Sequence, residues 1–143
     1  MSQDLQVGDI IRIYDNEIIP ADCVLLVTHS KASEDGIAQC FTNTQQLDGE
    51  TNLKPKIPIK QLEALVKSTS DAESAAKLKN IVIKASHPDA DLYKFTGEVN
   101  VGTDHNFELD LKQFLHRGSS LKNSNYVDAM VIYTGIQTKI VMN

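Results

Sequence analysis

The chain has 143 residues, which suits one domain, and at 41% hydrophobic and 23% charged, with 7 Gly and 4 Pro, it has a globular rather than a disordered composition. A formal net charge of -5, with Arg12 and Arg117 as the only arginines, argues against nucleic-acid binding and against adsorption to an anionic membrane surface. No apolar run approaches the ~20 residues that cross a bilayer as a helix, and the polar opening Met1-Ser2-Gln3-Asp4 lacks signal-peptide character, so neither is expected here.

The first third reads as strand. Ile11 and Ile13 alternate with Arg12 and Tyr14, the period of a half-buried strand. Asp15-Asn16-Glu17 is turn chemistry, and Pro20 fixes the backbone before the next element. Cys23-Val24-Leu25-Leu26-Val27 is continuously apolar, as in a strand buried on both faces. Glu34-Asp35-Gly36 then offers a turn before a third strand, Ile37 to Phe41, and the pair is expected to form a hairpin. Cys23 and Cys40 lie in apolar stretches without CxxC spacing and read as buried thiols of a reducing compartment, although sequence leaves a disulfide between them open.

Pro55 and Pro58 interrupt this pattern, with Pro58 suited to the first turn of a helix. Leu62, Leu65 and Val66 have the spacing of one helical face. Ser70-Asp71-Ala72-Glu73 matches a capping box for a second helix from about Asp71 to Lys79. These two form a small helical insertion around residues 59–80, expected to cover a sheet edge and to carry no chemistry. Ile81-Val82-Ile83, Leu92 to Val101, Phe107 to Leu111 and Ala129-Met130-Val131-Ile132-Tyr133 return to strand, separated by Pro88, Gly97 and Gly102-Thr103-Asp104. Seven or so short strands with one helical insertion predict a mainly β fold, a β-sandwich or distorted jelly roll, as a single domain over residues 1–143.

Most catalytic signatures are missing. The sequence has no GxxxxGK[ST], no GxSxG and no HExxH. His29, His87, His105 and His116 have no metal-ligand spacing and read as surface or loop residues, so no metal site and no cofactor site are predicted.

One segment stands apart, Leu47-Asp48-Gly49-Glu50-Thr51-Asn52-Leu53-Lys54. Asp48-Gly49 is turn chemistry; Gly49 tolerates positive φ and removes the side chain that would block a close approach. Such a turn holds Glu50 at a loop tip with Thr51 and Asn52 as polar neighbours. A carboxylate there can act as general base on water, provided a partner supplies the electrophile. On spacing alone an ordinary solvated turn is the better account of the pattern, because Asp-Gly turns are common.

LDGETNLK, residues 47–54, resembles the signature loop of the actuator domain in P-type ATPases, specifically the P4 group of phospholipid flippases, where DGET-NLK stands in place of the TGES of cation pumps. Val7-Gly8-Asp9-Ile10 and Pro20-Ala21-Asp22 resemble the family's opening strands, and Leu92-Tyr93-Lys94-Phe95-Thr96-Gly97 resembles its LYxFxG segment. Leu115 to Asn143, with RGSSLKN, VIYTG and TKIVMN, is similar to the stretch leading to the third membrane helix. The resemblance covers nearly the whole chain.

It implies an actuator domain on the cytosolic face of an integral membrane enzyme. The phosphorylated aspartate of the family's DKTG motif, and ATP and Mg2+, then belong to other domains, and this segment holds no cofactor. The implied partners are the phosphorylation and nucleotide-binding domains and membrane helices of the same chain, a phospholipid reached through the membrane region, and an accessory membrane subunit. By the same resemblance Glu50 activates the water that discharges the aspartyl-phosphate, Gly49 permits the approach, and Asp48 and Thr51 hold the loop's shape. Asn52 and Lys54 shape or dock the loop, while Gly8, Pro20 and Asp22 set strand entry and a turn. Arg117 and Lys122 read as solvated bases or docking contacts. Tyr126 stands where the family has a tryptophan, and His116 and Asp128 also depart from its pattern. Two alternatives remain open: a flippase-like regulatory module fused to another catalytic domain, and a β-sandwich interaction module with no part in catalysis.

Overall fold

This computed structural model describes residues 5–29, 39–67, 81–85, 93–101 and 105–133. Its strands are β1 (Ile10–Tyr14), β2 (Asp22–His29), β3 (Cys40–Asn43), β4 (Lys54–Lys56), β5 (Ile81–Ala85), β6 (Gly97–Val101), β7 (His105–Leu109), β8 (Phe114–Leu115), β9 (Ser120–Lys122) and β10 (Tyr126–Tyr133). Among the described residues two helices interrupt them, the single turn α1 (Gln45–Asp48) and α2 (Lys60–Lys67), and a 3-10 turn covers Leu111–Gln113. Three antiparallel sheets result, ordered β1-β10-β2-β8, β4-β3-β9 and β5-β6-β7. The mainly β, sandwich-like architecture expected from the sequence is what forms.

The first sheet is the middle layer. The β2 run is apolar throughout because both its faces are covered. Val24, Leu26 and Val27 pack with Leu62 of α2, Phe114, and Val99 and Leu109 of the third sheet. Cys23 and Leu25 pack on the opposite side with Ile19, Cys40, Leu121 and Val131. Leu26 and Val27 share a side because the register slips: Val27 opposes Asp128 while Leu25 opposes Ala129, so Leu26 is the extra residue of a bulge. Along β10 the sheet closes over a long sequence distance, with Ile10 opposite Met130 and Tyr14 opposite Tyr126.

Several expectations need correction. β2 and β3 do not form a hairpin; β2 pairs with β10 and β8, whereas β3 pairs with β4 and β9. The Glu34-Asp35-Gly36 turn and Ile37 lie outside the described residues, and the β9 partner is invisible to local pattern. Leu92 to Val101 shortens to β6, since Tyr93 to Thr96 form a turn and an irregular segment. Beyond β7, Asp110 accepts the Lys112 N–H and forms a capping box with Gln113, which converts the expected strand end at Leu111 into a 3-10 turn. Pro58 precedes α2 rather than sitting in its first turn. That helix covers a face of the middle sheet, not an edge, because Leu62 is buried in the core. The second helix and its Ser70 capping box lie outside the described residues.

Asn16 takes the left-handed conformation expected of the Asp15-Asn16-Glu17 turn, with φ 70°. Cys23 and Cys40 are both buried and free, with no disulfide between them.

Candidate functional site: the 48–51 loop

The loop hangs between two paired strands. Thr42 opposes Lys54 and Cys40 opposes Lys56, so β3 and β4 fix its two ends. Leaving β3, the Asn43 side chain accepts the Gln45 N–H at 2.9 Å and starts the single turn α1. Gly49 ends it. Its φ of 76° is the left-handed C-cap conformation, and its N–H donates to the Gln45 carbonyl at 2.8 Å. A Cβ built on Gly49 would meet nothing within 4 Å, so the glycine serves its backbone angle and an open approach rather than tight packing.

Asp48 organises the loop around its own carboxylate. Thr44 Oγ1 donates to its two oxygens at 3.1 and 3.2 Å, the Glu50 N–H donates to Oδ1 at 2.9 Å, and Tyr93 Oη donates to Oδ2 at 2.7 Å. With Asp48 thus engaged inward, Glu50 is turned outward at the tip, where its carboxylate pairs with Lys54 Nζ four residues on. The Glu50 side chain is 47% exposed. Thr51 and Asn52 are exposed beside it and lie outside the Asp48 bonds. Leu53 is also exposed.

A cavity of about 200 Å³ lies beside α1, lined among others by Thr44, Leu47, Asp48, Tyr93, Lys56 and Leu111. Lys56 is buried and its Nζ donates to the Leu111 carbonyl at 2.9 Å. Burial lowers its pKa to about 8, because the charged ammonium loses its hydration there. Opposite it in the β3–β4 register, burial pushes the Cys40 thiol up to about 12, and Lys56 pulls in the other sense.

The remaining sequence candidates scatter. Gly8, at φ 97°, donates its N–H to the Val131 carbonyl at 2.8 Å and seats the entry to β1. Asp22 is buried and accepts the Arg117 N–H at 2.8 Å. Lys122 donates to Asn16 Oδ1 at 2.8 Å. His116 lies in a loop but is not a surface residue: it is buried with its ring edge-on to Phe114 at 4.7 Å. His29 ends β2, stacked on Tyr126 at 4.2 Å, with Nε2 3.5 Å from Asp128. His87 and the side chain of His105 lie outside the described parts of the structure.

Sequence reasoning missed Thr44, Tyr93 and Lys56. Thr44 stood four residues before Asp48, a spacing that one helical turn brings together. Nothing local connects Tyr93 to the loop.

Chemically, the arrangement offers one outward carboxylate on a loop whose base is held by paired strands. Among the described residues no group of three or more His, Cys, Asp or Glu could hold a metal, and no helix is long and apolar enough to cross a membrane.

A mostly β module of three antiparallel sheets, with a polar loop presenting a carboxylate, is the class that this fold and site define. No family model matches the chain. It is similar over 99% of its length to the "Probable phospholipid-transporting ATPase 11" of Arabidopsis thaliana, with 39% identity over 141 residues. It is likewise similar to "Phospholipid-transporting ATPase 10" of the same plant, with 36% identity over 141 residues. In Saccharomyces cerevisiae it resembles the "Probable phospholipid-transporting ATPase DNF3", with 36% identity over 146 residues and again 99% of this chain. Over almost its whole length the chain is therefore homologous to a segment of P4-type ATPases named as phospholipid-transporting. It spans only 11% of the two plant relatives and 8% of the yeast one.

Proposed function

We propose that the chain is the cytosolic actuator domain of an ATP-driven phospholipid flippase, and that its Asp48-Gly49-Glu50-Thr51 loop discharges an aspartyl-phosphate held on another domain. The observation that carries this reading is the division of labour between two adjacent acids. Asp48 is consumed by three donors that shape the loop, while Glu50 is left at the tip.

Covalent catalysis splits ATP hydrolysis into phosphorylation and dephosphorylation of an aspartate. Coupling to lipid movement requires that water be kept from the phosphate until lipid is bound, and a mobile domain bearing the needed carboxylate provides that gate. On docking, Lys54 can exchange the Glu50 carboxylate for a phosphate oxygen, which frees Glu50 to take a proton from water. The water oxygen attacks phosphorus, the bond from phosphorus to the aspartate oxygen breaks, and inorganic phosphate leaves. Gly49 leaves room for the approach, Asp48 holds the loop's shape, and Thr51 is exposed for docking. ATP and Mg2+ are bound by other domains, the phospholipid is handled by the membrane region, and an accessory membrane subunit is a further partner. The isolated chain is expected to hydrolyse no ATP.

The test uses the complete protein in membranes: phosphoenzyme after brief exposure to ATP, wild type against Glu50→Gln, with and without phospholipid. Glu50→Gln keeps the side chain's size and removes the base, so a phosphoenzyme that forms and is no longer discharged by lipid is expected. Rapid discharge by the variant, or absence of phosphorylation in both forms, overturns the reading; the second result would leave a regulatory module.

A further inference from the structure

Two of the three donors on Asp48 belong to the loop's own segment. The Thr44 contact spans one helical turn, and the Glu50 N–H bond is a local Asx turn. Neither fixes the loop relative to the rest of the fold. The third donor does. Tyr93 lies forty-five residues further on, ahead of β6, and its bond of 2.7 Å is the shortest of the set.

Tyr93 is itself held to the core through its neighbours. Phe95 is buried and stacks on Phe114 at 4.6 Å, and Phe114 is completely enclosed. Gly97 lets this segment run close against β5: a Cβ there would come within 3.0 Å of the Lys84 carbonyl oxygen and 3.3 Å of the Phe95 ring. The spacing Tyr93-x-Phe95-x-Gly97 thus has a physical reading. Gly97 admits the strand, Phe95 anchors it, and Tyr93 carries the anchor outward to the loop. Tyr93 is 54% exposed, so its ring contributes little to the core, and its phenol reaches a carboxylate.

We propose that Tyr93 is a positioning residue for dephosphorylation: its phenol orients the Asp48 carboxylate, and through the Asp48–Glu50 N–H bond sets the attitude in which Glu50 meets water. This rests on the reading of Glu50 as the residue that activates water. A hydroxyl-to-carboxylate bond is among the stronger side-chain hydrogen bonds. Without it the α1 turn keeps its strand-held ends and its local bonds but loses the tie from Tyr93 to Asp48, and the fraction of encounters with Glu50 in place falls.

The experiment is a phosphoenzyme chase in the complete protein, comparing wild type, Tyr93→Phe, Asp48→Asn, the double variant and Glu50→Gln. Tyr93→Phe keeps the ring and is expected to leave the rate of phosphoenzyme formation at the wild-type level while slowing its decay roughly tenfold. The double variant is expected to decay no more slowly than the slower single one, because both substitutions break the same link. A decay constant does not depend on how much protein folds, so a purely structural role for Tyr93 would not move it. Wild-type decay in Tyr93→Phe beside a persistent Glu50→Gln phosphoenzyme overturns the positioning role alone. Multiplicative effects of Tyr93→Phe and Asp48→Asn also overturn it. Rapid discharge by Glu50→Gln overturns both readings.

Discussion

The Glu63 carboxylate of α2 accepts the Thr28 N–H of β2 at 2.8 Å, and Thr28 Oγ1 approaches the same oxygen at 3.3 Å. Both residues are buried, and the bond joins the helix to the end of the middle sheet's most enclosed strand, beyond the bulge at Leu26. Leu62, the neighbouring residue, supplies the apolar contact on the same helix. Glu63→Ala removes a charged acceptor from a buried donor and is expected to lower unfolding free energy by about 2 kcal/mol. Glu63→Gln keeps an acceptor oxygen in place and should recover at least half of that. Denaturant titration of the two variants checks it, and equal losses would mean that charge rather than hydrogen bonding ties the helix down.

On the β1 edge of that sheet, Arg12 forks onto Asp128 with Nε at 2.9 Å and Nη2 at 3.2 Å, while its guanidinium lies 4.2 Å over the Tyr126 ring. The hydrogen bond to Asp128 is the main cause that raises the Arg12 pKa, so the cation persists at every ordinary pH. The Arg12 side chain is 48% exposed, which limits the ion pair to about 0.5 kcal/mol, with a similar amount from the ring contact. Arg12→Lys retains the charge but loses the planar fork. It is therefore expected to lose about half the stability that Arg12→Ala loses. Thermal unfolding in low and high salt separates the parts, since salt screens the pair and leaves the ring contact.

The sequence made the enclosed strands and the loop turn legible, because both are written in consecutive residues. The run Cys23 to Val27 has no polar interruption, which only a strand covered on two faces tolerates, and Asp48-Gly49 carries its own turn chemistry. Pairing at a distance escaped it. β10 sits between β1 and β2, and β9 beside β3, through registers that no local period encodes. The expected β2–β3 hairpin failed for that reason. In the site, Glu50, Asp48 and Gly49 could be read from spacing and resemblance, whereas Tyr93 reaches Asp48 only because Phe95 and Gly97 bring its segment back. Lys56 was equally hidden: no local pattern marks it for burial, and the packing of β4 against the 3-10 turn encloses it.

Gly49 separates backbone demand from packing demand. Its φ of 76° lies where side chains with a Cβ are strained, yet nothing stands within 4 Å of the position a Cβ would take. Gly49→Ala is therefore expected to cost about 1 kcal/mol through the backbone alone. Gly49→Asn should cost less, because asparagine visits this region more readily, and Gly49→Val should cost more. Equilibrium unfolding of the three variants gives the order. A loss in Gly49→Asn as large as in Gly49→Val would show that crowding, not φ, governs the position.

Lys56 predicts a pH dependence whose sign follows from its lowered pKa. The ordinary lysine value of 10.5 falls to about 8 in the fold, chiefly because burial strips water from the ammonium. Below pH 8 folded and unfolded chains both carry the proton, and the fold bears the whole cost of the buried charge. Between about 8 and 10.5 the unfolded chain binds more protons than the folded one, so stability attributable to Lys56 rises with pH. The full span is about 3 kcal/mol by the free-energy equivalent of the shift. Lys56→Met removes the charge and also the bond to the Leu111 carbonyl, so at pH 7 it should be the more stable form by about 1 kcal/mol. That advantage should shrink and reverse as pH climbs past 8, once the wild-type amine is neutral and still donates to Leu111. Urea unfolding of both forms from pH 7 to 10 measures the difference directly. A constant difference across that range would mean that the Lys56 amine is solvated, and that the cavity beside α1 already admits water to it.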